Sequence, residues 1–145
     1  MRGSPACPGP GRSTPVRAFL DTNILIRHLT GDPPRLAVPA TRYLASAPAL
    51  PLTGLATAEV ACVLESVLRV AAPEVARLLR PAIAFPSIDV AGSALLLRTL
   101  EVCEVKRPDF ADAYLVACAE ASGIGVIASF DRNIDRVGTV QRIEP

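Results

Sequence analysis

Short apolar runs alternate with longer stretches of helical periodicity along most of the chain. The runs have the length of strands and predict buried strands at residues 16–20, 50–52, 87–90, 125–128 and 139–142. Apolar positions that recur every three or four residues predict helices at residues 24–29, 36–47, 57–70, 73–82, 92–105 and 109–121. Uniformly apolar strands separated by helices are typical of a parallel sheet covered on both faces, so we expect an α/β fold.

Local signals mark where two of these helices begin and end. Thr22 or Asn23 is expected to cap the first helix, and Gly31 to end it. Asp109 is expected to begin the last helix, and Gly123 to terminate it. These boundaries decide which polar residues lie at the junctions between strands and helices.

Residues 1–15 differ from the rest because they hold four prolines and three glycines and no apolar run. We expect them to form a mobile tail and not a secretory signal, followed by a single domain at residues 16–145. No apolar run approaches the roughly 20 residues that a membrane span requires. We therefore expect no membrane association and a cytoplasmic location.

Histidine and cysteine are too few for several chemistries. The one histidine, His28, excludes a two-histidine acid–base mechanism and a zinc site built from several histidines. The four cysteines form no C-x-x-C pair, and Cys62, Cys103 and Cys118 lie in apolar, helix-like segments. We expect these three to be core thiols of a protein in a reducing compartment.

Four carboxylates lie at predicted junctions between strands and helices. Asp21 and Asp131 each follow a strand, whereas Glu59 and Asp112 lie near helix starts. Ligands of open parallel sheets bind beyond the carboxyl ends of the strands. Each acid also has a structural interpretation: Asp21 or Asp109 as a helix cap, Asp112 as a first-turn acid, Glu59 as a peripheral helix residue. Together they predict an oxygen-rich pocket for Mg²⁺ or Mn²⁺, ions that activate water for phosphodiester hydrolysis.

Four segments resemble, in order and spacing, those of PIN domains. They are FLDTNIL from Phe19, TAEV from Thr57, DFADAYLVA from Asp109 and SFDRN from Ser129. The closest resemblance is to the VapC-like ribonuclease toxins of type II toxin–antitoxin pairs, and it covers residues 16–145. It implies a Rossmann-like sandwich with a short, mainly parallel sheet, and an acidic pocket that binds Mg²⁺ or Mn²⁺ and hydrolyses RNA.

The resemblance also implies roles for particular residues. The metal ligands and catalytic acids would be Asp21, Glu59, Asp112 and Asp131, with Asp109 as an auxiliary ligand. Asn23, Ser129 and Asn133 match polar positions that support the acidic pocket. Asn133 stands where many relatives have an aspartate, and if that position helps to hold a second metal ion, its amide favours a single ion per site in the free protein.

The remaining charged residues are interpreted mainly as surface residues. Glu65 lies six residues after Glu59, points away from it on a helix, and is expected at the surface or paired with Arg69. Fourteen of the fifteen basic residues are arginine, which contacts phosphate readily, although the formal net charge is only +1. Arg132 is the candidate RNA phosphate contact, with a solvated arginine as the alternative. His28 is expected to be structural.

The resemblance implies two protein partners as well, because VapC-like toxins are usually homodimers and bind a cognate antitoxin. Apolar faces at residues 24–29 and 35–47 are candidates for the antitoxin groove, or else for ordinary core. Two other functions compete with the nuclease. One is a catalytically inactive PIN-like module that binds RNA or protein. The other is a Mg²⁺ phosphatase with Asp21 as nucleophile, which Asn23 and the single lysine, Lys106, disfavour.

Overall fold

The structure is a computed structural model that describes residues 17–145. Residues 1–16 lie outside the described residues. They include the predicted tail with Cys7, and Val16 at the start of the first predicted strand. Six helices occur in the described part of the chain: α1 (Thr22–Thr30), α2 (Pro34–Ser46), α3 (Gly54–Cys62), α4 (Ala72–Ile83), α5 (Ser93–Lys106) and α6 (Phe110–Ser122). The described part also has four strands: β1 (Leu50–Leu52) and β2 (Ile88–Val90) between helices, and β3 (Val126–Ala128) and β4 (Gln141–Ile143) after α6. A π-helical turn (Val63–Val67) continues α3, and a 3-10 turn (Arg132–Arg136) follows β3.

The strands pair in parallel, as the sequence predicts, but within residues 17–145 they form two two-stranded sheets and not one central sheet. β1 pairs with β2 so that Leu50 lies opposite Ile88. β3 pairs with β4 so that Ala128 lies opposite Ile143. Among the helices, α5 packs against α4 and α6, and α1 packs against α2 and α3. The prediction of an α/β fold with short parallel strands is confirmed.

The predicted strand at residues 16–20 is wrong in its described part, because residues 17–20 form no regular strand. The Leu20 amide donates to the Pro51 carbonyl at 3.0 Å, so this segment runs beside β1. In a parallel pairing the matching bond would run from the amide of residue 51 to the carbonyl of Ala18. Proline has no backbone N–H to donate, so the bond from Leu20 to Pro51 has no such partner bond and residues 17–20 form no regular ladder with β1. The segment still delivers Asp21 to the edge of the sheet.

One helix start matches an alternative prediction, and a second differs from the prediction. Asp21 caps α1, its Oδ2 accepting the Asn23 amide at 3.2 Å, which confirms the structural interpretation of Asp21 as a helix cap in place of Thr22 or Asn23. Thr53 caps α3, its hydroxyl accepting the Ala56 amide at 3.1 Å, so α3 begins three residues before the predicted start. Glu59 consequently lies in the middle of α3 and not near its beginning.

Two predicted helix ends are confirmed by backbone conformation. Gly31 follows α1 with φ 71°, and Gly123 follows α6 with φ 75°. These left-handed values are easily reached only by a residue without a side chain. The two glycines therefore set where α1 and α6 stop.

The core is aliphatic, and ion pairs join the helices around it. Its largest fully buried side chains include Leu25, Leu44, Leu50, Leu52, Leu64, Leu79 and Leu100. Arg80 on α4 binds Glu104 on α5, and Arg98 on α5 binds Glu120 on α6. No helix among residues 17–145 has the length and apolarity needed to cross a membrane.

The three described cysteines are free, but they are not all core thiols. Cys103 is buried, and burial, before the charge of Glu65, raises the pKa of its thiol to about 12. Cys118 is partly buried. Cys62 is exposed, with its sulfur 3.8 Å from the Ser66 hydroxyl, so the prediction of a core thiol is wrong at that position.

Candidate active site

Asp21 and Glu59 are brought together through the residue that follows Asp21. The Thr22 hydroxyl donates to Glu59 Oε2 at 2.7 Å, across 37 residues of sequence. Asp21 directs its Oδ2 to the Asn23 amide, because it caps α1. Both carboxylates are exposed, and these bonds use one oxygen of each. The end of the segment beside β1 and the middle of α3 therefore present two acids to the same region.

Asp109, Asp112 and Asp131 form a second group at the start of α6. Asp109 caps the helix, its Oδ1 accepting the Asp112 amide at 2.9 Å. The Asp131 carboxyl, from the loop after β3, lies close enough to the Asp112 carboxyl to contribute to raising its pKa. Burial, followed by the charges of Asp109 and Asp131, raises the pKa of Asp112 to about 6. Two acids that meet without a cation repel each other, and this repulsion disfavours the ionised form of Asp112.

The donor set of these two groups fits a hard divalent cation. Every candidate ligand is a carboxylate oxygen, the donor that Mg²⁺ and Mn²⁺ prefer. A cation between Asp112 and Asp131 would relieve the repulsion that raises the pKa of Asp112. Across residues 17–145, however, no three His, Cys, Asp or Glu side chains are already gathered closely enough to hold a metal ion. The described site thus has two acidic groups, and their roles as ligands stay predictions.

The residues predicted to support the pocket contact the acids largely through their main chains. The Asn133 amide donates to Asp131 Oδ1 at 2.8 Å, and the Asp131 amide donates to the Ser129 hydroxyl at 3.0 Å. Asn23 contacts Asp21 through its backbone amide in the same way. An aspartate or asparagine at position 133 would make the same backbone bond, so these contacts do not depend on the amide side chain.

Glu65 is a residue whose position the sequence did not reveal. Its Oε1 accepts the Phe110 amide at 2.9 Å, across 45 residues. Glu65 is half-buried, and its pKa is raised, first by burial and then by the charges of Asp109 and Asp112. The prediction of a surface residue or a partner of Arg69 is wrong. Glu65 lies in the π-helical turn, and Arg69 has a left-handed φ of 57°, so the two do not share a regular helical face.

Arg142 is a second residue that the sequence analysis missed. Its side chain is only 10 % exposed, and its Nη1 donates to the Ser129 carbonyl at 2.8 Å. Its Nε and Nη2 bind both oxygens of Asp135, at 2.9 Å and 3.1 Å. Arg142 on β4 therefore clamps both ends of the loop that carries Asp131. No local sequence pattern distinguishes this arginine from the surface arginines.

Arg132 and His28 occupy places compatible with their predicted roles. Arg132 is exposed beside Asp131, and its contact with phosphate stays a prediction. His28 Nδ1 lies 2.8 Å from the Thr41 hydroxyl, and its ring meets Phe85 edge to face with centroids 5.2 Å apart. Burial lowers the pKa of His28, which is typical of a neutral, packed imidazole.

The described residues define an α/β protein with short parallel strands and acidic side chains at the ends of its elements. The family model of the PIN domain matches residues 18–140, and the chain therefore belongs to the PIN domain family. PIN domains are generally nucleases and typically depend on divalent metal ions. A search of curated proteins found no match.

Proposed function

We propose that the protein is a Mg²⁺- or Mn²⁺-dependent endoribonuclease that acts as the toxin of a type II toxin–antitoxin pair. The observation that carries the proposal is the placement of Asp109 and Asp131 near Asp112 at the start of α6, where Asp109 caps the helix and both charges raise the pKa of the Asp112 carboxyl. Carboxylates that lie close together repel each other, and this repulsion destabilises a fold that has no cation to bind. A site that must bind a divalent cation needs them.

Each acid has a distinct task in this proposal. Asp112 and Asp131 would hold the ion, with Asp21 and Glu59 facing it and Asp109 as an auxiliary ligand. When bound, the ion supplies a Lewis acid and lowers the pKa of water for attack on phosphorus. The Thr22 hydroxyl keeps the Glu59 carboxylate oriented, and the Ser129 hydroxyl and Asn133 amide keep Asp131 oriented. Orientation of ligands by their hydrogen-bond partners is a large part of metal affinity.

RNA is the proposed substrate because of the resemblance of the four motif segments to VapC-like toxins. The exposed guanidinium of Arg132, beside Asp131, is the proposed contact with an RNA phosphate. The proposed location is the cytoplasm, where such a toxin would meet its RNA.

The proposed protein partners are a second copy of the chain and a cognate antitoxin. An apolar cleft of about 520 Å³ between α1 and α2 is the candidate place for an antitoxin segment. It is lined by Asn23, Ile24, Arg27, Leu36, Pro39, Ala40 and Tyr43. The cleft adjoins Asp21 through Asn23, so an occupant would lie close to the acids.

Cleavage of single-stranded RNA by the purified protein tests the proposal. We expect endonucleolytic cuts with Mn²⁺ or Mg²⁺ and none after chelation. Asp21→Asn, Asp112→Asn and Asp131→Asn should each lower the rate by more than about 100-fold, since loss of a ligand's partner alone costs roughly 10- to 100-fold. Asp89→Asn, an exposed acid on β2, is the matched control and should cut normally.

Several outcomes would contradict the proposal. Full activity of Asp112→Asn, or cleavage that survives chelation, would remove the assigned metal site. RNA binding without cleavage by the unaltered chain would identify an inactive binding module instead. Growth arrest on expression of the unaltered chain, absent with Asp112→Asn, would connect the cleavage to toxicity, whereas cleavage without arrest would contradict the toxin role.

A further inference from the structure

We propose that Glu65 is a positioning residue of the acidic site: its carboxylate fixes the first turn of α6, and with it Asp109 and Asp112, relative to α3. This inference rests on the proposed function for its catalytic consequence. The hydrogen bond that carries it, from the Phe110 amide to Glu65 Oε1 at 2.9 Å, is a property of the fold itself.

The bond joins groups that no local interaction would bring together. Phe110 is the first residue of α6, and amides in the first turn of a helix have no partner within the helix. Asp109 satisfies the Asp112 amide from within the same segment. Glu65 satisfies the Phe110 amide from another element. The bond to Asp109 shapes the first turn of α6, and the bond to Glu65 fixes the position of that turn relative to α3.

The position of Glu65 relates the two acidic groups to each other. Residues Gly54–Cys62 and Val63–Val67 form one continuous helical segment, which carries Glu59 in its middle and Glu65 six residues later. The partner amide, that of Phe110, lies two residues before Asp112. A bond between these points therefore sets the spacing between the helix that bears Glu59 and the turn that bears Asp112.

Glu65, whose side chain reaches α6, lies inside the π-helical turn. The Leu68 amide donates to the Val63 carbonyl, five residues earlier, at 3.1 Å. This wider turn changes the directions in which its side chains point, compared with a regular α-helix. Small side chains leave room for the approach, since Ala58 and Ala111 line the cleft between the two elements together with Glu65 and Asp109. Single π turns inside helices occur frequently at functional sites.

Two substitutions at position 65 separate a positioning role from direct contact with the metal. Glu65→Gln keeps an oxygen that accepts the Phe110 amide but removes the charge, whereas Glu65→Ala removes both. Glu120→Ala is the matched control, because Glu120 is a carboxylate that ties the other end of α6 to Arg98. Glu65→Met fills a similar volume without an acceptor, and it replaces Glu65→Ala if the smaller residue prevents folding.

Three measurements are made on each protein: Mn²⁺ binding by calorimetry without RNA, the Mn²⁺ concentration that half-saturates cleavage, and hydrogen exchange of the Phe110 amide. We expect Glu65→Ala to weaken Mn²⁺ binding roughly 10- to 100-fold, the usual effect of losing a partner that orients ligands. Exchange of the Phe110 amide should accelerate in parallel. Glu65→Gln should stay within about threefold of the unaltered chain, because a neutral acceptor preserves most of the bond. Glu120→Ala should leave Mn²⁺ binding unchanged.

Equal losses of Mn²⁺ binding in Glu65→Gln and Glu65→Ala would overturn the inference, since the charge of Glu65 would then act on the metal directly. Unchanged Mn²⁺ binding in Glu65→Ala would also overturn it. Failure of the proposed function can be told apart from failure of the inference about Glu65, because the unaltered chain would then neither bind Mn²⁺ nor cut RNA. Exchange of the Phe110 amide would still report in that case whether Glu65 holds the turn.

Discussion

Asp112 lies where its own ionisation is disfavoured. Partial burial and the neighbouring charges of Asp109 and Asp131 raise its pKa to about 6, above the ordinary value of 3.8. The folded protein therefore retains a proton at Asp112 over a pH range in which the unfolded chain has released it. The contribution of Asp112 to the stability of the metal-free protein therefore falls as the pH rises from about 4 to about 6, since in this interval its carboxyl binds more protons in the folded state.

Asp112→Asn should accordingly stabilise the metal-free protein while abolishing cleavage. Above pH 6 we expect a gain of about 1 kcal/mol in the free energy of unfolding, a value reduced because solvent screens the partly exposed carboxyl. Urea unfolding of both proteins in a chelator, on either side of the pH interval, measures the gain. The gain should vanish below pH 4. Equal stability of the two proteins at every pH would contradict the electrostatic conflict at Asp112.

Pro51 determines how far the segment before Asp21 can pair with β1. The Leu20 amide already bonds to the Pro51 carbonyl, so the missing N–H of Pro51 is the local obstacle to a regular parallel ladder. The segment ends directly at Asp21. The stability of the pairing between residues 17–20 and β1 therefore affects how rigidly Asp21 is held.

Pro51→Val should extend the sheet by supplying the missing donor to the Ala18 carbonyl. We expect hydrogen exchange of the Leu20 amide to slow and the free energy of unfolding to rise by about 0.5–1.5 kcal/mol, the usual net value of one hydrogen bond. Pro48→Val, in the exposed loop before β1, controls for the general loss of proline rigidity. If Leu20 exchanges as fast as before, the lack of pairing has another cause.

Much of the fold follows from local sequence patterns. Apolar spacing predicts the six helices, and Gly31 and Gly123 mark two helix ends because only glycine adopts their left-handed backbone easily. The predictions fail where a distant partner decides the outcome. Pro51 lies some thirty residues beyond the segment whose pairing it limits. The start of α3 differs for a local reason instead, because Thr53 caps the helix three residues before the predicted start at Thr57.

The candidate site was predictable in its residue types but not in its connections. Acids at strand ends and helix starts indicate Asp21, Asp112 and Asp131 because parallel sheets bind ligands there. The contacts of Glu65 with Phe110 and of Arg142 with Ser129 depend on a π turn and on strand pairing. Neither arrangement has a signature in the residues that surround Glu65 or Arg142.

The acids of the site come from distant parts of the chain, so only the folded molecule brings them near one another. Asp21 and Asp131 are separated by most of the domain, and Glu59 and Asp112 lie on different helices. A ligand that binds the folded state alone stabilises it by mass action. Metal binding and folding are therefore thermodynamically coupled in the proposed enzyme.

Mn²⁺ should raise the thermal unfolding midpoint of the chelator-treated protein. At a concentration 100 times its Kd we expect about 2.7 kcal/mol of stabilisation, or roughly 5–10 °C for a domain of this length. Asp131→Asn should lose most of this shift. Potassium chloride at matched ionic strength controls for general screening by salt. An equal shift with potassium chloride would show that Mn²⁺ acts only as bulk salt.

The clamp formed by Arg142 has a consequence for the order of events during synthesis on the ribosome. The loop that bears Asp131 obtains its bond to the Arg142 guanidinium only once β4 has emerged from the exit tunnel. A nascent chain that already displays Asp21, Glu59 and Asp112 still lacks the clamp on its last acid. The loop that bears Asp131 therefore acquires its clamped geometry later in synthesis than the positions of Asp21, Glu59 and Asp112, because Arg142 follows all three in the chain.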